Sequence, residues 1–190
     1  MSSLNNSSNV SAAKPNISGA IYKAPLTASL PTTADETLSA DFTCLGYISE
    51  DGITNSNARE SDEFKAWGGD TVLTSQTSYT DTFQFKLLEY LNADVKKTVY
   101  GADNVSGALA TGMTVQANSK ELTSAAWVID MIMRDDTMNR IVIPSGKISE
   151  IGDVVYSDSE LTAYDITVTA FPDSNGNTHY EYIKAAPVVS

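Results

Sequence analysis

The single histidine, His179, is the residue type best suited to proton transfer or metal binding near neutral pH. Either task needs partners. Tyr180 and Tyr182 flank it, and it follows the turn signal Asn175-Gly176, where a half-exposed side chain is expected. The chain contains no Gly-x-Ser-x-Gly, no His-Glu-x-x-His and no phosphate-cradling glycine motif. Asp173 to Asn177, DSNGN, offers oxygen ligands at short spacing, but the distal bidentate glutamate of a calcium loop is missing, and a turn there needs no ion. Asp135-Asp136 is a weak carboxylate pair. Adjacent turn residues point apart, and Arg134 and Arg140 stand near enough to balance them. Gly68-Gly69-Asp70 reads as a backbone device after Trp67, not a ligand cradle. Cys44 is the only cysteine, which excludes an intrachain disulfide and a cysteine zinc cluster, and it reads as a small buried hydrophobe. The reading is therefore no enzyme, with no catalytic, cofactor-binding or metal-binding residue and no cofactor.

The bulk composition points elsewhere. Length (190 residues) favours one domain with a sizeable core. Against 24 Asp and Glu stand 12 Lys and Arg, a net charge of −12. Such a surface does not attract nucleic acid, which is bound through Lys and Arg at phosphates, and does not suit an anionic membrane. It favours solubility and mutual repulsion. The first residues, MSSLNNSSNVSAAK, lack the basic and apolar blocks of a secretion signal, and no apolar window is long enough to span a bilayer. The expected site of synthesis and folding is a cytoplasm.

The elements that could position functional residues are mostly strands. Residues 1–18 are rich in Ser and Asn and cannot bury enough surface to order alone. Two readings stand for them: a floppy tail, or an arm that orders on a neighbouring subunit. Residues 19–190 form one domain. Gly19–Pro31 is extended, because Pro25 and Pro31 forbid a regular helix. A strand around Phe42, Cys44 and Ile48 ends in a tight turn at Asp51-Gly52. A long polar loop, Thr54–Asp62, then returns through Phe64 and Trp67, and Trp67 is assigned to the core, with an interface as the lesser alternative. Thr71–Phe85 is a strand polar on both faces over Thr74–Thr82: an edge, a protruding hairpin or the wall of a wet channel. Leu88, Leu91, Val95 and Val99 predict one amphipathic helix over about Glu89–Val99, stopped by Gly101. Short strands follow: Met113–Ala117, Ala126–Met133 (carrying Trp127 into the core), Arg140–Ile143 ending at Pro144, Lys147–Tyr156, Leu161–Phe171 and, past a hairpin turn at Asn175-Gly176, His179–Ile183. This succession predicts a mainly β fold, an antiparallel β-sandwich or split barrel with one flanking α-helix, an extended N-terminal arm and a long loop.

Several stretches resemble one family. LGYISEDGI followed by a polar loop and AWGGD, the upstream GAIYKAPLTASLPTTA, and the downstream FQFKLLEYLNADVKKTVYG, RIVIPSGKI and YDITVTAFPDSNGNTHY are similar to the major tail (tail tube) proteins of long, non-contractile-tailed bacteriophages. The resemblance covers most of the chain beyond the first eighteen residues, and it tips the reading of those eighteen toward the arm. It implies a structural virion protein that forms hexameric rings, a homo-oligomer stacked into a hollow tube. Tape measure, tail terminator and distal tail proteins would be its partners. Viral DNA would pass through without specific binding, repelled by an acidic wall. The protein would reside in the phage tail, and in the host cytoplasm before assembly. The resemblance also implies that Asp51–Asp62 reaches a neighbouring subunit or ring, through Asp51, Asn55, Arg59, Glu60 and Asp62. The strand polar on both faces is assigned to the lumen, with Thr74, Gln76, Ser78, Thr80 and Asp81. Two other classes compete: a secreted or surface carbohydrate-binding β-sandwich adhesin, which lacks a signal and an aromatic cluster here, and the inner tube of a contractile injection device, which shares the architecture.

Overall fold

The computed structural model describes residues 5–16 and 19–186. The ends 1–4 and 187–190 and residues 17–18, which include parts of the expected arm, lie outside the described residues. Strands β1 (Lys14–Pro15) and β2 (Ile21–Ala24) come first, then an irregular strap and β3 (Thr43–Cys44). The two longest strands follow, β4 (Ile48–Lys65) and β5 (Thr71–Leu87). Helix α1 (Ala93–Tyr100) precedes a small hairpin of β6 (Val105–Ala108) and β7 (Gly112–Val115). Strands β8 (Ala125–Ile132), β9 (Met138–Ile151), β10 (Tyr164–Ala170) and β11 (Tyr180–Lys184) complete the chain.

The main sheet runs β3-β2-β8-β9-β10-β5-β4, all antiparallel, with β1 also on β8 and β11 also on β9. Its two ends, β3 and β4, are joined by only residues 45–47. That connection spans at most about 14 Å. The sheet therefore curls until its edges approach, but no ladder joins β3 to β4, so the barrel is split and not closed. The inward residues alternate as the pleat requires: Tyr164, Ile166, Val168 and Ala170 on β10, and Phe83, Phe85 and Leu87 on β5. They meet Ile21, Trp127, Ile129 and Ile143, with Val95 and Val99 of α1 in the same cluster. Gly146 makes room for Trp127. A Cβ there would lie 2.8 Å from both the indole and Val168, and the indole Nε1 donates to the Gly146 carbonyl at 3.0 Å. Buried Arg140 forks onto Asp130, its direct cross-strand neighbour, at 2.6 and 2.9 Å. Its third nitrogen donates to the carbonyls of Thr33 and Glu36, which pins the strap.

The mainly antiparallel β fold with one helix is as the sequence indicates. Several local expectations are corrected. Asp51-Gly52 is a bulge inside β4, between Ile48 and Ile53, not a turn, and Thr54–Asp62 is strand, not loop. Pro144 does not end a strand. Strand β9 passes through it at a register shift against β8, where the missing N–H costs no ladder bond, and where the partner on the other side changes from β11 to β10. Helix α1 starts later than expected because Asn92 caps it, its side-chain oxygen accepting from the Asp94 N–H at 2.9 Å. Leu91 precedes the helix and is exposed. The turn at Asn175-Gly176 joins β10 to β11, but both pair with β9 and not with each other, so it is no hairpin. Cys44 is half-buried, and Trp67 stands wholly in solvent at 107% relative exposure. Arg140 serves Asp130, so Asp135 is left with Arg134.

Candidate assembly surface

Strand β5 has two halves with different surroundings. From Asp81 to Leu87 it lies between β10 and β4. From Thr71 to Thr80 it pairs with β4 alone, so the β4–β5 hairpin leaves the sheet beyond Asn57 and Asp81. The eight residues from Ala58 to Lys65 carry it roughly 26 Å outward at strand rise. The sequence explains the shape. Thr, Ser and Asn fill both strands, and Gly68 and Gly69, both at positive φ, close the end with Gly69 N–H donating to Ala66 O at 3.0 Å.

Cross-strand contacts stiffen the hairpin on both faces. On the face continuous with the core, Asn57 accepts from Tyr79 Oη at 2.5 Å, and the Arg59 guanidinium lies 4.5 Å over the Tyr79 ring while donating to Gln76 at 3.2 Å. On the other face Ser78 donates to Glu60 at 3.0 Å, and Ala58 sits opposite Thr80. A bulge at Thr77 splits the expected lumen set. Thr74 and Gln76 share a face with Glu63 and Ser61, whereas Ser78 and Thr80 share the opposite face with Glu60 and Ala58. Asp62 is exposed beside Ser75, and exposed Asp51 accepts from Ser49 Oγ at 2.8 Å near the root. Thus the residues assigned to two different surfaces, Asp51–Asp62 and Thr74–Asp81, are the two strands of one element.

The root is locked by a cluster that the sequence did not reveal. Asp81 is buried, yet its carboxylate accepts from Asn55 Nδ2 at 2.8 Å and Thr178 Oγ1 at 2.6 Å, and meets His179 Nδ1 at 2.6 Å. His179 stands edge-on to Phe83, with ring centroids 5.3 Å apart. So Asp81 presents nothing to a lumen here, and His179 is a structural partner. The cluster fills the gap left where the hairpin leaves β10 and β11 has not yet begun. Thr178 and His179 lie 97 and 98 residues from Asp81, and Asn55 lies 26 away, which is why spacing gave no signal.

The far end is apolar and acidic at once. Phe64, Trp67, Val72 and Leu73 are exposed there, among Asp62, Glu63 and Asp70. From Ile48 to Thr71 six carboxylates face only Arg59 and Lys65. The outer edge of β4 and the distal edge of β5 carry N–H and C=O groups with no strand partner among the described residues. The 173–177 turn is self-contained. Asp173 accepts from Tyr180 Oη at 2.6 Å and from the N–H groups of Asn175 and Asn177, which hold its carboxyl below the usual range. Among the described residues no three His, Cys, Asp or Glu side chains are grouped to hold a metal ion, and no helix is long and apolar enough to cross a membrane.

The sequence profile of the phage tail tube protein family matches residues 2–189. The chain belongs to the phage tail tube protein family. Tail tube proteins are structural and not enzymes, so the lone histidine and scattered carboxylates carry no catalytic duty. A tail tube protein is a virion component that assembles with copies of itself. No curated protein sequence matches the chain. A similar solved structure is the anti-feeding prophage cap, a tube terminating cap seen by cryo-EM. It is 7% identical over 91% of this chain and 93% of that one, with a TM-score of 0.46.

Proposed function

We propose that this tail tube protein forms six-subunit rings that stack into the hollow tube of a long non-contractile phage tail, the conduit for DNA ejection. The observation that carries the reading is the β4–β5 hairpin, a stiff projection whose strand edges lack partners and whose apolar end is bare to solvent. Strand edges of this kind pair with other chains unless blocked. A contact between two different patches of a subunit is head-to-tail, and closes into rings or continues as a filament. Asn55, Arg59, Glu60 and Asp62 then contact the neighbouring copy through the hairpin, with Asp51 near its root. Of the polar groups assigned to the lumen, Thr74 and Gln76 lie on one face of the hairpin and Ser78 and Thr80 on the other, so one of these two pairs faces the bore. At physiological salt the acidic field reaches only about 8 Å, so DNA slides past without sticking.

Lys14 and Pro15 pair with β8, Asn16 N–H donates to the Asp130 carbonyl at 3.2 Å, and Arg134 donates to Ser11 Oγ at 2.7 Å and to the Ser7 carbonyl at 3.2 Å. On the tube reading this segment is the arm that orders on a neighbouring subunit during assembly. Free subunits wait in the host cytoplasm. Tape measure, tail terminator and distal tail proteins meet the tube along its bore and at its ends. Negative-stain microscopy of the concentrated protein tests this directly. Hollow rods or rings of uniform width support it, and compact monomers at every concentration and salt would refute it. Co-purification with a sheath protein would assign the tube to a contractile device instead.

A further inference from the structure

Lys96 of α1 is buried. Its Nζ lies 3.5 Å from the centre of the Tyr90 ring and donates to Tyr164 Oη at 3.1 Å. Tyr156 Oη meets Tyr90 Oη at 3.0 Å, and Tyr100 packs edge-on to Tyr164. These tyrosines form one side of a cavity of about 420 Å³, whose other walls include Leu91, Leu109, Met113 and Val115. An ammonium has three N–H donors, and Tyr164 and the Tyr90 face take two.

No carboxylate lines this cavity, and no described carboxylate pairs with Lys96. Lys23, over the Trp127 ring at 5.7 Å, likewise has no carboxylate among the described ion pairs, but three other lysines differ. Lys97 has Asp94, Lys120 has Asp103 and Lys147 has Glu121. Four other large cavities each include at least one Asp or Glu. A buried cation without an anion costs stability, and a chain with 24 carboxylates had many to place there.

We propose that the Lys96 cavity receives a carboxylate carried on the distal hairpin of a second copy, which rests on the tube reading above. The two surfaces match in kind. The hairpin end offers Asp62, Glu63 and Asp70 beside bare Phe64, Trp67 and Leu73. The cavity offers an ammonium and the Tyr156 hydroxyl between apolar walls, with Leu91 and Leu109 exposed at its rim. Knob and receptor occupy different parts of the subunit, so the contact propagates from copy to copy.

A cysteine pair tests the placement. In a Cys44→Ser background, Trp67→Cys with Leu109→Cys is oxidised after assembly, beside Trp67→Cys with Lys120→Cys at the neighbouring cavity. The expected result is a ladder of disulfide-linked oligomers for the first pair and none for the second. The reverse pattern, or no ladder in either, overturns the proposal. Lys96→Met is the second arm. It should raise the critical concentration for assembly about tenfold, the scale of one lost charge-assisted hydrogen bond. The melting temperature of the free subunit should stay level or rise, because an unpaired buried cation has become apolar. Unchanged assembly, or a loss of assembly together with a fall in melting temperature, contradicts the role. An unaltered chain that never assembles removes the tube reading and this proposal together, whereas assembly without the 67–109 bridge removes the proposal alone.

Discussion

Asp81 shows how one buried carboxylate can set the direction of a whole hairpin. Asn55, Thr178 and His179 converge on it where β5 parts from β10. Asp81→Asn exchanges acceptor lone pairs for N–H groups that face donors. It should cost about 1–3 kcal/mol, the usual penalty for stranding buried polar groups, read as a lower urea midpoint at constant slope. A change within 0.3 kcal/mol, on the order of measurement scatter, would contradict the account. Asp173 gives a pH-dependent counterpart. Its carboxyl is held down chiefly by the Tyr180 hydroxyl, so the turn is favoured above the ordinary carboxylate pKa of about 3.9 and loses that support progressively as pH falls from there through the lowered value. An NMR titration should place the Asp173 midpoint below the ordinary value, and Tyr180→Phe should raise it. A midpoint at or above the ordinary value would refute the assignment.

At the scale of elements, the hairpin and the barrel are separable. Among the described residues the distal strands pair with no other strand of the sheet, and Phe64, Trp67, Val72 and Leu73 are bare. Removing Ser61–Thr77 and joining Glu60 to Ser78 through Asn-Gly should leave the unfolding midpoint of the monomer within about 1 kcal/mol of the parent while abolishing assembly. Circular dichroism and electron microscopy check the two halves of this expectation, and rods from the shortened chain would contradict it. The barrel was legible in the sequence because alternation on β10 and the apolar spacing on α1 follow from burial. The hairpin was half legible. Thr71–Phe85 reads as strand from its β-branched residues, but Thr54–Asp62 reads as loop because a strand solvated on both faces has no period to detect. Trp67 misled for the opposite reason, since a tryptophan is normally packed and this one packs against none of the described residues. The Asp81 cluster needs Thr178 and His179, and the Lys96 cage needs Tyr156 and Tyr164, all far along the chain, and their individual types carry no sign of it.

For the molecule as a whole, a net charge of −12 and a sticky projection oppose each other. Repulsion keeps free subunits apart, and burial of a side chain such as Phe64 or Leu73 in a neighbour contributes about 1.5–3 kcal/mol against it. Added salt shortens the range of the repulsion while leaving apolar burial intact, so the critical concentration should fall as ionic strength rises. Light scattering across a salt series measures this, and a salt-independent or rising threshold would contradict it. The central claim is that the distal strands acquire their missing partners only when copies join. Amide hydrogen exchange compared between free and assembled protein tests it most directly. The account predicts that amides of Ala58–Lys65 and Thr71–Thr80 on the unpaired edges exchange fast in the subunit and are strongly protected in the assembly, and equally fast exchange in both states would contradict it.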